Sequence, residues 1–171
     1  MAEDDRIRSL LLAALDRQRQ HVLESLEGLT DAQLRSPALP SGWSPIGLVR
    51  HLTLGGERYW LHTVMAGEPL DYWPADDAEL DQGRPADWRV GADEATDAVV
   101  REYHDAIARS DEIVAGLPLS AAPLRPEPEW PEGRFADLAA VLLHVILDAA
   151  THAGHLDAAR ELIDGRQHLV L

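Results

Sequence analysis

Three histidines and one aspartate share a face of the last helical segment of the chain. They lie in the stretch His144-Val-Ile-Leu-Asp148-Ala-Ala-Thr-His152-Ala-Gly-His155. At about 100° per residue, the four side chains fall within an arc of roughly 80°. Asp148 and His152 are four residues apart, so they lie one above the other on the helix. Imidazole and carboxylate groups in this arrangement are typical ligands of a divalent metal ion.

His51, near the start of an earlier helical pattern, would supply a third ligand from a facing helix. Three protein ligands leave positions open for water or a substrate, as catalytic sites do and structural sites do not. Two imidazoles and a carboxylate suit Zn²⁺, Ni²⁺ or Fe²⁺. His144 and His155 are further candidates, either as additional ligands or as supports for the ligands. The plain alternative is an ion pair between Asp148 and His152, because a carboxylate beside buried apolar residues needs a partner.

The residues around His51 add two expectations. Gly55 follows His51 by one turn, and a glycine there would either leave space beside the ion or permit close packing of the helices. Glu57 and Arg58 are expected to point away from the site, toward solvent or a neighbouring chain. His168 lies near the C-terminus and off the stripe.

Composition excludes several classes of function. The chain has 171 residues, which predicts a single domain over residues 1–171. It has no cysteine, so disulfides, thiolate ligands and a cysteine nucleophile are excluded. The formal net charge of −15 disfavours nucleic acid and anionic membrane surfaces as partners. The acidic start is unlike a signal peptide, and no apolar run approaches ~20 residues, so we expect a cytoplasmic protein without a membrane partner.

Four long segments carry the helical period, and a short helix is predicted after Thr30. The long segments run from about Asp4 to Glu27, from the N-cap Ser44 to Ala66, from Asp93 to Ala115, and from Arg134 to Asp164 before Gly165. Without an alternating strand pattern, they predict an all-α antiparallel four-helix bundle. The long connections, 67–92 and 117–133, either form the mouth or lid of a site or merely bridge antiparallel helix ends.

The first half of the fourth segment is apolar nearly all round. Leu143, Leu147 and Ala150 lie on the side away from the histidine stripe. A helix that is apolar on two sides must be buried on two sides. This pattern predicts a homodimer, unless loops of the same chain cover the second side.

Two stretches and their order resemble a known superfamily. They are His51-Leu-Thr-Leu-Gly-Gly-Glu-Arg-Tyr-Trp60 and His152-Ala-Gly-His155-Leu-Asp-Ala-Ala-Arg-Glu-Leu-Ile-Asp-Gly165, with Gly-Trp-Ser-Pro before the second helix. The chain resembles the DinB/YfiT-like bacterial metal-binding four-helix bundles, especially an actinobacterial branch. Three histidines typically bind the metal there. The resemblance implies that His51 and His152 are ligands and that Asp148 replaces the second histidine, as a carboxylate does in the related mycothiol-dependent maleylpyruvate isomerases.

The resemblance also implies a class of reaction. Members of the superfamily include metal-dependent transferases and isomerases that use a low-molecular-weight thiol such as mycothiol or bacillithiol. The ion would lower the pKa of the thiol, and the absence of cysteine agrees with an external thiol. Two alternatives remain open, a metal-dependent hydrolase and a non-catalytic bundle that binds a metal or a small ligand. A substrate cavity would favour an enzyme, and a closed shell of four ligands would favour a structural metal.

Overall fold

A computed structural model describes residues 3–71, 86–126, 131 and 133–168. All regular structure in these ranges is helical, which confirms the all-α prediction. The helices are α1 (Glu3–Glu24), α2 (Asp31–Arg35), α3 (Pro45–His51), a π-helix that continues α3 without a break (Leu52–Met65), a 3₁₀ turn (Ala86–Trp88), α4 (Thr96–Ala115) and α5 (Leu138–Asp164).

Three helix ends that position the site have clear capping residues. The Ser44 hydroxyl accepts a hydrogen bond of 3.2 Å from the backbone N–H of the third residue of α3. The helix α5 begins later than the predicted Arg134, because the Asp137 carboxylate accepts a 3.0 Å hydrogen bond from the N–H of Ala140 and forms the cap. Gly165 ends α5 in the left-handed conformation, with φ at 77°.

The core consists of two apolar clusters stacked along the bundle. The first contains Leu15, Trp60, Leu61, Val64, Met65, Val114, Leu138, Val141, Leu142, Val145 and Ile146. The second contains Val22, Leu26, Ile46, Leu48, Val49, Leu52, Val99, Tyr103, Ala153 and Leu156. The first cluster joins the earlier of the two sets of α1 and α5 residues to the ends of the π-helix and α4. The second cluster joins later residues of α1 and α5 to the beginnings of α3 and α4. Therefore α1 and α5 run in one direction, and α3 and α4 run in the other.

This order of directions explains the long connection between α3 and α4. Two consecutive helices with the same direction need a connection that returns along the length of the bundle. Residues 72–85 of this connection lie outside the described residues. Its described end, the 3₁₀ turn Ala86–Trp88, lies against α3, where Asp87 contacts His51.

A buried ion pair lies between the two apolar clusters. Arg19 of α1 donates from Nε and Nη2 to the two carboxylate oxygens of Glu57, each at 2.7 Å. The two residues are only 3% and 2% exposed. A third bond, of 2.8 Å, joins Arg19 to Asp111 of α4. Burial disfavours the charge of Arg19, but Glu57 and Asp111 outweigh burial and hold the pKa of Arg19 above its usual value.

The expectation that Glu57 points toward solvent or a neighbouring chain is therefore wrong. Arg58 also finds a partner within the chain, because it donates to Glu102 of α4 at 3.1 Å. The expectation assumed 100° per residue, whereas a π-helix has wider turns with i→i+5 hydrogen bonds. Residues predicted to lie on the far side of the helix are consequently turned toward α1 and α4.

The helix α5 has an exposed apolar strip as well as a buried one. Leu143 and Leu147 are 50% and 59% exposed in the single chain, whereas Ala150 is partly buried. By length and composition alone, α5 is long and apolar enough to cross a membrane. Of the residues in the apolar stretch that meets this criterion, 33% are buried within the chain. A core helix of a bundle meets the same criterion. The two leucines carry the homodimer prediction.

Candidate metal centre

The structure brings His51, Asp148 and His152 together. Each offers one ligand atom, and these three atoms lie within 4.8 Å of one another. His152 follows Asp148 by one turn of α5, and its Nε2 lies 3.5 Å from Asp148 Oδ1. The imidazoles of His51 and His152 are 4.9 Å apart between centroids and inclined at 72°. The last residue of α3 and one turn of α5 thus place two nitrogens and one carboxylate around a common point.

Asp87, which the sequence analysis did not identify, holds the imidazole of His51. Its Oδ2 lies 2.6 Å from Nδ1 of His51, and the residue is only 5% exposed. A hydrogen on Nδ1 donated to this carboxylate leaves Nε2 of His51 free to bind an ion. The ring of Trp88 stacks on the imidazole of His51, with the ring centroids 4.3 Å apart and the planes inclined at 16°. The 3₁₀ turn therefore fixes the orientation of a candidate ligand that belongs to another helix.

Two glycines make room for this turn. A Cβ on Gly47 would lie 2.6 Å from the carbonyl oxygen of Trp88, closer than any side chain tolerates. A Cβ on Gly55 would lie 3.2 Å from Cε1 of His51 and 3.5 Å from a carboxylate oxygen of Asp87. Gly55 was expected to leave space beside an ion. The structure shows that it leaves space for the imidazole of His51 and its carboxylate partner.

The local charges keep Asp148 ionised. Burial alone would raise the pKa of this carboxyl group, but the contact with His152 and the charges of His152, His51 and His144 outweigh it. The pKa of Asp148 therefore lies below its usual value. An ionised carboxylate beside two imidazoles is a suitable set of donors for a divalent ion.

The other two histidines of the stripe lie beside this group and outside it. His155 Nδ1 is 3.4 Å from Nδ1 of His152, on the edge of that ring opposite the nitrogen that faces Asp148. His144 packs against Trp60 and Phe135, with ring centroids 4.5 and 5.0 Å away. Burial lowers the pKa of His144 below its usual value, although the charge of Asp148 acts in the opposite direction. Neither residue shares the 4.8 Å group.

Aromatic side chains flank the site on two sides. Trp43 lies 6.4 Å from Trp88 and 6.2 Å from His155 between centroids, at the α3 end of the site. Trp60 and Phe135, 4.4 Å apart, lie on the opposite side with His144. Trp60 is only 7% exposed and, with Phe135 packed against it, belongs to the first apolar cluster.

A comparison with known families agrees with this geometry. The family model described as mycothiol-S-transferase matches residues 10–165, nearly the whole chain and all of the residues named above for the site. No curated protein and no solved structure matches the chain. The match supports the DinB-like resemblance inferred from the two sequence stretches. The chain belongs to the mycothiol-S-transferase family.

Proposed function

We propose that the protein is a divalent-metal-dependent transferase that uses mycothiol or a similar small thiol. The observation that carries the proposal is the convergence of His51, Asp148 and His152, with Asp87 behind the first ligand. Zn²⁺, Ni²⁺ and Fe²⁺ all suit two imidazoles and one carboxylate. Family membership supports the thiol, since the family model is described by its mycothiol substrate.

The number of ligands supports an open site. Among the described residues, three donors converge, and His144 and His155 do not complete a fourth position. A site with three protein ligands leaves room for a substrate atom. A divalent ion held there supplies a positive charge that lowers the pKa of a thiol in contact with it. The carboxylate of Asp148 and the two imidazoles would hold that ion in place.

The proposed reaction transfers the thiol to an electrophilic carbon. The thiol loses its proton, its sulfur forms a bond to the carbon, and the leaving group departs with the electrons of the bond that breaks. Cysteine is absent from the chain, so the sulfur nucleophile must come from the small thiol. We further propose a cytoplasmic location, where small thiols are kept reduced.

A conjugation assay tests this function. Untagged protein is stripped with a chelator, reloaded separately with Zn²⁺, Ni²⁺ or Fe²⁺, and mixed with mycothiol and a fluorogenic electrophile. We expect conjugation above the uncatalysed rate with at least one ion, none in the stripped protein, and a loss of rate when glutathione replaces mycothiol. The proposal would be refuted if all three loaded forms showed only the uncatalysed rate with each of several electrophiles that carry different leaving groups.

Replacement of Asp87 tests the support of His51. We expect Asp87→Ala to weaken Zn²⁺ binding by roughly 10- to 100-fold, because a carboxylate that orients a ligating histidine also raises its basicity. Competition with a chromophoric chelator measures this affinity without any enzyme assay. Asp97→Ala, which removes an exposed carboxylate of α4, is the matched control and should leave the affinity unchanged. Equal affinities for Asp87→Ala and the control would contradict the role of Asp87.

We also propose that the exposed strip of α5 is a homodimer interface. Leu143 and Leu147 lie four residues apart, so that they form one apolar surface. Leu147→Glu is expected to give a monomer by light scattering at micromolar concentration, whereas the wild type is a dimer. Leu162→Glu is the control, because Leu162 is a similarly exposed leucine near the end of the same helix. A monomeric wild type would exclude the interface.

A further inference from the structure

A second group of side chains of the metal-ligand type lies further along α5, five residues beyond His152. It consists of His21 of α1, Asp157 of α5 and His168 of the C-terminal tail, and we call it the tail cluster. One ligand atom from each residue lies within 4.8 Å of the others. These are the same donor types as in the candidate metal centre, two imidazoles and a carboxylate. The tail cluster shares no residue with that centre.

The His21–Asp157 pair of the tail cluster lies at hydrogen-bond distance. His21 Nε2 is 2.8 Å from Asp157 Oδ1. Two ligands of a tetrahedral ion, each about 2.0–2.1 Å from it, lie roughly 3.3–3.4 Å apart. Both side chains are partly buried, and the Ser25 hydroxyl lies 3.5 Å from the same oxygen of Asp157. An ion between helix α1 and helix α5 therefore requires this nitrogen and this oxygen to move apart by only about 0.5 Å.

The C-terminal tail brings the third donor to this pair. Gly165 turns the chain out of α5 with a positive φ. Arg166 then donates to the carbonyl oxygen of Glu27 at 3.2 Å, which holds the tail against the end of α1. As a result, the imidazole of His168 stacks on that of His21, 3.7 Å away and inclined at 17°. His168 is exposed, so its ring can turn about its side-chain torsions and direct a nitrogen at the pair.

We propose that the tail cluster is a second binding site for a divalent transition-metal ion such as Zn²⁺, Ni²⁺ or Cu²⁺. Nitrogen and carboxylate donors select these ions over Mg²⁺ and Ca²⁺. The ion joins three separate segments, α1, α5 and the tail. Its role is structural, because it fastens the C-terminal tail to the bundle away from the candidate metal centre.

The plain alternative is a hydrogen bond between His21 and Asp157 with a stacked ring above it. The two interpretations differ in the number of ions that the full-length, untagged protein binds after chelator treatment. In a calorimetric titration with Zn²⁺, we expect two ions per wild-type chain and one per His168→Ala chain. His104→Ala, which removes an exposed histidine of α4, is the control and should keep both ions. An unchanged number of ions in His168→Ala would overturn the proposal.

The tail cluster can also be tested independently of the proposed transferase function. Asp148→Ala is expected to keep one ion, which is then lost in Asp148→Ala/His168→Ala. If Asp148→Ala does not fold by circular dichroism, His152→Ala replaces it. Retention of one ion by these single variants, with its loss on adding His168→Ala, supports the tail cluster even if the wild type shows no conjugation activity. Absence of Zn²⁺ binding in a folded Asp148→Ala or His152→Ala protein overturns the tail cluster and leaves the transferase proposal intact.

Discussion

Asp148→Ala protein is expected to lose its ion at the candidate metal centre and, with it, the stabilisation that Zn²⁺ provides. Asp148 is the one anionic ligand among the three, and its pKa keeps it ionised. An ion present at 100 times its dissociation constant stabilises the folded chain by about 2.7 kcal/mol. For a chain of this size, that free energy corresponds to a rise in melting temperature of roughly 5–10 °C.

The measurement is a pair of thermal melts with and without Zn²⁺, in a His168→Ala background that removes the contribution of the tail cluster. The His168→Ala parent should show the rise, and the addition of Asp148→Ala or His152→Ala should abolish it. Addition of His104→Ala should leave the rise intact, since this imidazole lies on the exposed side of α4. A parent without any rise would mean that the three side chains are an ordinary polar cluster.

The second large effect concerns the ion pair between the two apolar clusters. Arg19→Met should destabilise the protein by about 3–5 kcal/mol, because it leaves the buried carboxylate of Glu57 without its cation. A loss of this size lowers the melting temperature by about 10 °C. Denaturant titration followed by circular dichroism gives the free energy of unfolding directly.

A double variant separates the penalty of an unpaired charge from the worth of the pair. Arg19→Met/Glu57→Leu should recover most of the loss, since an apolar pair of similar volume removes the unpaired carboxylate. Arg101→Met is the matched surface control, because its bond to Asp97 is exposed and its loss should not change the melting temperature measurably. A double variant as unstable as Arg19→Met would show that packing of the arginine stem, and not the charge, carries the stability.

Periodicity was sufficient to predict the helices and the grouping of Asp148 with His152. Both residues lie on one regular α-helix, where a constant angle per residue places i and i+4 together. Their convergence with His51 came from the resemblance to known bundles and from the general need for a facing helix. The caps at Ser44 and Gly165 could also be predicted from the sequence, because each depends on one residue type at one position.

Asp87 and Glu57 could not be found in this way, for two different reasons. Asp87 lies in a 3₁₀ turn of a long connection, 36 residues from His51. No spacing rule relates the two positions. Glu57 lies on a helix, but the π-helical turn replaces the angle on which assignment of faces depends. Its partner Arg19 sits on another helix, 38 residues away.

The close approach of the 3₁₀ turn to Gly47 couples two equilibria, the docking of the turn on α3 and the proposed binding of an ion. Asp87 orients His51 only while the turn is docked on α3, and docking depends on the space that Gly47 leaves for the carbonyl oxygen of Trp88. When a binding-competent conformation is populated for only a fraction of the time, the apparent dissociation constant rises by the inverse of that fraction. By reciprocity, an ion that favours the docked turn increases its population. The metal affinity that we propose for the site is thus adjustable from a position whose side chain is a single hydrogen atom, with all three proposed ligands unchanged.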